Sequence, residues 1–103
     1  MKKLVNKVMT EATTFMGEDV EVKKMSVAEV FKVQKLAEKH GKAKNKEEGQ
    51  MALLRDVLRL AVIGAEDLTD EEFNSFPVTE LTELSDKVMS LSGIGPGAAD
   101  VGN

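Results

Sequence analysis

The sequence contains no cysteine, and His40 is the single histidine among its 103 residues. Without thiols the chain forms neither disulfides nor thiolate metal sites, a composition compatible with a reducing cytoplasm. One histidine cannot build a histidine-based metal site or a catalytic triad. We therefore expect no metal and no cofactor, and we place His40 at the C-terminal end of a helix, where the helix dipole favours it.

Long apolar runs and an excess of basic residues are also missing. No stretch of the sequence approaches the roughly eighteen consecutive apolar residues of a membrane span. The N-terminal segment MKKLVNKVMTEA has charged residues throughout and lacks the apolar run of a signal peptide. Lysine and arginine number 14 against 18 acidic residues, so the net charge of −4 disfavours nucleic acid. The composition predicts one soluble domain in the cytoplasm, with neither membrane nor nucleic acid as a partner.

Motifs that carry catalysis are scarce as well. The GIGPG stretch near the C-terminus lacks the Gly-Lys-Ser/Thr of a P-loop and the preceding strand of a dinucleotide-binding fingerprint. Carboxylate pairs occur at Glu18-Asp19, Glu47-Glu48 and Glu66-Asp67, but they fall in turns or polar segments. Acid–base catalysis needs an enclosed environment that separates two pKa values, so we expect no enzymatic activity.

The N-terminal quarter of the chain predicts a β-hairpin. Residues 1–10 fit either a short amphipathic helix or a lead into a strand. Over 11–24, β-branched and aromatic residues flank Gly17-Glu18-Asp19, and Val20 and Val22 alternate with charged residues.

The first helix begins at a capping box, Ser26 with Glu29, and ends at His40-Gly41. Its apolar stripe is predicted to comprise Val27, Val30, Phe31, Val33 or Gln34, Leu36 and Ala37. The next segment, residues 39–49 (KHGKAKNKEEG), is polar, and its composition predicts a mobile loop.

Three further helical segments complete the predicted fold. A central core helix runs from about Glu47 to Ile63, and Gly64 ends it. A capping box over 69–72 opens a short helical turn that carries Phe73 and Phe76. Pro77 precedes a last helix, which Gly93 ends. The sequence thus predicts a mainly α domain of three to four helices with a short N-terminal β-hairpin over 1–93, and a flexible glycine-rich tail over 94–103.

The last helix carries the candidate partner-binding surface. Its apolar residues recur at i, i+3, i+7 and i+10, and the two phenylalanines before it extend the stripe. The candidate residues are Phe73, Phe76, Leu81, Leu84, Val88 and Leu91. The alternative is that these side chains form the ordinary core. Exposed apolar faces of this kind bind other polypeptides, and methionines adapt readily to such contacts.

The order of these elements resembles the small tail assembly chaperones of long-tailed (siphovirus-type) bacteriophages. The resemblance spans roughly residues 19–94. It rests on a hairpin leading into VEVKKMSVAEVFKVQKL, a polar linker, a core helix and then LTDEEFNSFPVTELTELSDKVMSLSGI. The resemblance implies a protein of the host cytoplasm that binds the tape measure protein, keeps it soluble and helps to recruit tail tube subunits. It leaves open whether the chain forms a homo-oligomer.

Two other functions remain as alternatives. The LSGIGPGAADVGN end resembles the hairpin of a helix-hairpin-helix module, and together with the basic stretch around Lys42 to Lys46 it would suit a nucleic-acid-binding or regulatory module. No basic residue follows Lys87, and no second helix follows the glycine-rich turn, which disfavours this alternative. The second alternative is a structural subunit of a phage tail or connector.

Overall fold

The computed structural model describes residues 1–93, so the predicted tail over 94–103 lies outside the described residues. The mainly α fold with an N-terminal hairpin is confirmed. A single 3₁₀ turn at Lys2–Leu4 comes first. The elements that follow are β1 (Thr10–Phe15), β2 (Glu18–Lys23), α1 (Val27–Gly41), α2 (Lys46–Ala61), α3 (Asp70–Asn74) and α4 (Val78–Leu91). Within residues 1–93, no helix is both long and apolar enough to cross a bilayer.

The hairpin turns at Met16 and Gly17, one residue earlier than the sequence pattern suggested. Both residues have positive φ, 53° and 83°, which is the signature of the two-residue type I′ turn that matches strand twist. Antiparallel pairing then runs from Phe15 opposite Glu18 to Thr10 opposite Lys23. Residues 1–9, whose structure the sequence left undecided, form the 3₁₀ turn and an irregular lead into β1.

Both predicted capping boxes are present. The Ser26 hydroxyl accepts from the Glu29 backbone N–H at 3.2 Å, and the Ser26 N–H donates to the Glu29 carboxylate at 3.0 Å. Thr69 and Glu72 make the same reciprocal pair at the start of α3. These caps satisfy backbone donors that the first turn of a helix leaves without partners, so each fixes where its helix begins.

The loop predicted over 39–49 is shorter in the structure. α1 continues to Gly41 and α2 begins at Lys46, which leaves a connection of four residues. Asn45 caps α2 by accepting from two backbone N–H groups at its start. Gly49 is buried there, and a Cβ on it would lie 2.4 Å from the carbonyl oxygen of His40. Polar composition suggested a loop, but the Asn45 cap and the close approach at Gly49 convert most of it into helix.

Two further expectations about the helices need correction. The central helix ends at Ala61 rather than Ile63, because Val62 is extended and forms a β-bridge with Val22. The predicted stripe of α1 is only partly inward: Val33 is buried, whereas Val27 and Phe31 are exposed. α1 has 15 residues and packs mainly against α2, so only one narrow face of it is covered. The apolar residues outside that face remain exposed.

The core forms around α2, which packs between α1 and α4. β2 contributes Val22 from the hairpin side, and α3 contributes Phe73. The buried apolar residues are Val22, Met25, Val33, Val57, Leu58, Ala61, Val62, Ala65, Phe73, Leu81, Leu84 and Val88. The end of α4 is held to the start of α1 by a hydrogen bond from the Met25 N–H to the Ser92 hydroxyl at 3.0 Å.

Candidate functional site

The six candidate residues from the last helix and its approach lie in the core or at its margin. Phe73, Leu81, Leu84 and Val88 are buried, with exposed fractions of 7 % or less. Phe76 and Leu91 are partly buried and pack against the same core. The apolar face of α4 therefore points into the core. A partner can contact these side chains only where the core opens to the surface.

Four of the six candidates line one surface pocket of about 200 Å³. Phe73, Phe76, Leu81 and Leu84 form one side of this apolar pocket, which lies between the hairpin, the segment after α2, and helices α3 and α4. The remaining lining residues are Phe15, Val20, Leu58, Val62, Ile63, Gly64, Ala65 and Leu68. None of the lining side chains carries a polar group.

The segment after α2 is fixed against the hairpin by backbone contacts. Val62 pairs with Val22, and the Ile63 N–H donates to the carbonyl oxygen of Glu21 at 2.9 Å. This short bridge leaves the Ile63 side chain at the pocket margin with 46 % of its surface exposed. The margin of the pocket is therefore apolar, open to solvent and held in place by main-chain hydrogen bonds.

Aromatic contacts shape the opposite wall. The rings of Phe15 and Phe76 meet edge to face, with centroids 5.2 Å apart, and Phe73 meets Phe76 in the same manner at 6.5 Å. Such edge-to-face pairs hold rings in defined orientations. The Arg59 guanidinium lies over the Phe73 ring, 4.9 Å from its centroid. The wall is thus a cluster of aromatic rings in mutual edge-to-face contact.

Arg59 also joins this wall to a polar network on α2 and α3. It donates to the carbonyl oxygen of Leu68 at 2.9 Å, to Asp56 at 3.2 Å and to Asp70 at 2.5 Å. The hydrogen bond from Arg59 holds the pKa of the Asp70 carboxyl below its usual value. His40 lies in the last turn of α1, as predicted, and its Nε2 is 2.8 Å from Asp56. The network anchors Leu68 and α3 to α2.

The chemistry of the pocket favours an apolar side chain as its occupant. Sites for drug-sized small molecules usually measure about 300–1,000 Å³ and contain a few polar groups that orient the ligand. This pocket has a volume of about 200 Å³, and its lining side chains offer no such group. Its lining residues provide no acid, base or nucleophile. Within residues 1–93, no group of three or more acidic or histidine side chains is arranged to hold a metal ion.

Sequence reasoning missed the hairpin half of this pocket. Phe15 and Val20 were placed in strands, but nothing local indicated that their side chains meet the phenylalanines before α4. Ile63 was assigned to the end of a helix. The only signal was the apolar Val62-Ile63 pair directly before Gly64, which fits a short extended segment as well as a helix end.

The other predicted sites lie apart from this pocket. The GIGPG stretch falls outside the described residues after Gly93, and the lysines of the α1–α2 connection are exposed on another part of the surface. The chain matches no protein-family model, no curated protein and no solved structure at a significant level. The pocket geometry and the order of elements therefore carry the functional proposal.

Proposed function

We propose that this protein is a non-enzymatic tail assembly chaperone of a long-tailed bacteriophage, which binds the tape measure protein in the host cytoplasm. The observation that carries the proposal is the apolar pocket, which is open at Ile63 and lined by Phe73, Phe76, Leu81 and Leu84. The confirmed order of elements, a hairpin followed by capped helices, supports the same reading. In this role the protein keeps its client soluble during tail morphogenesis and helps to recruit tail tube subunits.

The energetics suit passive and reversible binding. Burial of one leucine or phenylalanine side chain contributes roughly 1.5–3 kcal/mol, whereas micromolar affinity needs about 8 kcal/mol. The pocket therefore anchors one side chain, and the rest of the affinity comes from apolar surface around it. An amphipathic client helix, which presents apolar residues at i, i+3 and i+4, provides such an array. Many weak contacts of this kind hold a client without energy input and release it on assembly.

Co-expression with the tape measure protein encoded by the same phage tests the proposal. Wild-type chain is expected to keep the tape measure protein in the soluble fraction and to co-purify with it. The Ile63→Glu variant places a charge at the pocket margin without disturbing a buried side chain, and it is expected to lose most of this effect. Burial of an unpaired carboxylate against apolar walls is strongly unfavourable.

The matched control is Val27→Glu, which also replaces a β-branched aliphatic side chain by glutamate, at a position that is 71 % exposed and outside the pocket. It is expected to behave as wild type. Thermal unfolding of both variants verifies that neither has lost its fold. If the tape measure protein precipitates equally with and without the chain, the chaperone proposal is wrong. If both variants retain it equally, the pocket is not its binding site.

A further inference from the structure

One outer edge of the β-hairpin forms backbone hydrogen bonds to another segment, and the other outer edge is open. On the β2 side, Val62 bridges to Val22, and the Ile63 N–H donates to Glu21 at 2.9 Å. On the β1 side, no strand of residues 1–93 pairs with the outer edge. An open strand edge presents unpaired N–H and C=O groups and is a template for pairing with another chain.

The hydrogen-bond alternation shows which groups of β1 point outward. The Lys24 N–H donates to the carbonyl oxygen of Met9 at 2.8 Å, so Met9 and the odd-numbered residues of β1 direct their backbone groups toward β2. In an antiparallel ladder the intervening residues direct theirs to the other side. Thr10, Ala12 and Thr14 therefore offer their backbone groups outward, and all three residues are exposed.

This edge carries no lysine, no proline and no β-bulge, three features that protect natural edge strands from pairing. β1 reads TEATTF, with Glu11 as its one charged residue, and its pairing with β2 is continuous. The Glu11 side chain lies on the face of the hairpin toward α4, where its carboxylate is 3.9 Å from the Lys87 ammonium. Nothing charged stands at the outward positions.

We propose that β1 pairs antiparallel with β1 of a second copy of this chain, which joins the two hairpins into a four-stranded sheet. The two-fold axis passes through Ala12, so that Ala12 faces Ala12, and Thr10 of each copy faces Thr14 of the other. This register uses the outward backbone groups and keeps the packed faces of both hairpins on one side of the sheet. It also places threonines opposite one another, a favourable cross-strand pair. The inference is independent of the proposed function.

The charges and the exposed apolar residues along the β1 edge favour a second copy of this chain as the partner. The segment before β1 is basic, with Lys2, Lys3 and Lys7, and the turn after β1 is followed by Glu18 and Asp19. Antiparallel pairing brings the basic end of one copy beside the acidic end of the other, and the two-fold axis repeats this at both ends.

The same register matches apolar positions. Val8 and Met9 precede the strand and are 61 % and 57 % exposed, while Met16 follows it and is 50 % exposed. With Ala12 on the axis, Met9 lies at the register position of Phe15 in the second copy, and Val8 at that of Met16. Glu11 lies opposite Thr13, so no like charges are paired within the ladder. Exposed apolar residues at both ends of the strand thus lie beside one another in the dimer.

Sedimentation equilibrium of the full chain tests the dimer. Wild type is expected to dimerise reversibly, whereas Ala12→Pro removes the central outward N–H and Thr14→Lys places a charge on the edge. Each variant is expected to raise the dissociation constant roughly tenfold or more. Proline is tolerated on an edge strand whose N–H faces solvent, and Thr14→Lys keeps every backbone donor should the proline variant fail to fold. Val27→Pro is the matched proline control, since it occupies the first position of α1, where proline is favoured.

The absence of native cysteine allows a direct test of register. Residues opposite one another in a hydrogen-bonded antiparallel pair have Cα atoms about 5.5 Å apart, within the range of a disulfide. With oxidised glutathione, the Ala12→Cys variant is expected to form a covalent dimer, and the Thr10→Cys variant, whose symmetry mates are offset, is expected to remain largely uncrosslinked. A wild-type chain that stays monomeric at millimolar concentration, a dimer unaffected by both edge variants, or equal crosslinking of the two cysteine variants would overturn the proposal.

Discussion

Gly49 is the residue whose small size decides how closely α1 and α2 approach. An added Cβ would lie 2.4 Å from the carbonyl oxygen of His40, which is backbone and cannot move aside cheaply. Alanine improves helix propensity by up to about 1 kcal/mol, but overpacking costs roughly 1–3 kcal/mol. We expect Gly49→Ala to lower the free energy of unfolding, measured by urea denaturation.

Gly41 provides the matched control for this prediction. It also lies in a helix, at the end of α1, but a Cβ there would meet nothing within 4 Å. Gly41→Ala is therefore expected to leave stability unchanged or to raise it by up to about 1 kcal/mol. Equal effects of the two substitutions would show that propensity, rather than the contact with His40, governs both positions.

Met16 is a residue in an unfavourable backbone conformation. Its φ of 53° is one that side-chain-bearing residues adopt at a cost of about 1–2 kcal/mol, and asparagine tolerates it best. We expect Met16→Asn to stabilise the protein by roughly 0.5–1 kcal/mol, because Asn-Gly is the preferred type I′ turn. Met16→Ala removes the same side chain without relieving the backbone, so thermal unfolding should rank Asn above Ala. The reverse ranking would contradict the assigned turn.

At the scale of elements, the capping box of α1 links helix stability to pH. The Ser26 N–H hydrogen bond and the nearby Lys23 ammonium lower the pKa of Glu29 from its usual 4.5. A carboxyl whose pKa is lower in the folded state stabilises the fold fully above its unfolded pKa. That contribution is lost as pH falls through the folded value.

The test of this coupling is Glu29→Gln, which retains the hydrogen-bond acceptor of the capping box but not the charge. At pH 7 the variant is expected to be less stable than wild type by about 0.3–1 kcal/mol, the contribution of an acidic group near a helix N-terminus. Below pH 4 the difference should shrink, because protonated Glu29 is also uncharged. Urea denaturation at pH 7 and pH 3 measures both values, and a difference that grows on acidification would refute the assigned linkage.

The helix starts were predictable because their signals are local. In each capping box, Ser26 with Glu29 and Thr69 with Glu72, the spacing lets each side chain reach the backbone of the other residue. Helices α1 and α3 begin where this spacing indicates. The length of the α1–α2 connection was not predictable from composition. Its polar residues suggested a loop over 39–49, whereas only four residues lie between the two helices. The start of α2 depends on the Asn45 cap and on a tertiary contact at Gly49 that no local pattern shows.

At the scale of the whole molecule, the candidate site depends on contacts between segments distant in sequence. The sequence identified four pocket residues on α3 and α4 and on the segment between them, since phenylalanine and leucine spacing is visible there. The hairpin wall, Phe15 and Val20, and the margin at Ile63 join them through tertiary contacts such as the Val22–Val62 bridge and the Phe15–Phe76 ring contact. Periodicity predicts which face of a helix is apolar, but it does not predict where two apolar faces leave a gap.

We propose that the apolar pocket receives a side chain of the tape measure protein, and methyl NMR of isotope-labelled chain during titration with that protein tests this contact. We expect the Ile63, Leu81 and Leu84 methyl signals to shift together and saturate, while those of Val27 and Val78, which are exposed outside the pocket, do not shift. Shifts confined to Val27 and Val78, or no shifts at excess tape measure protein, would contradict it.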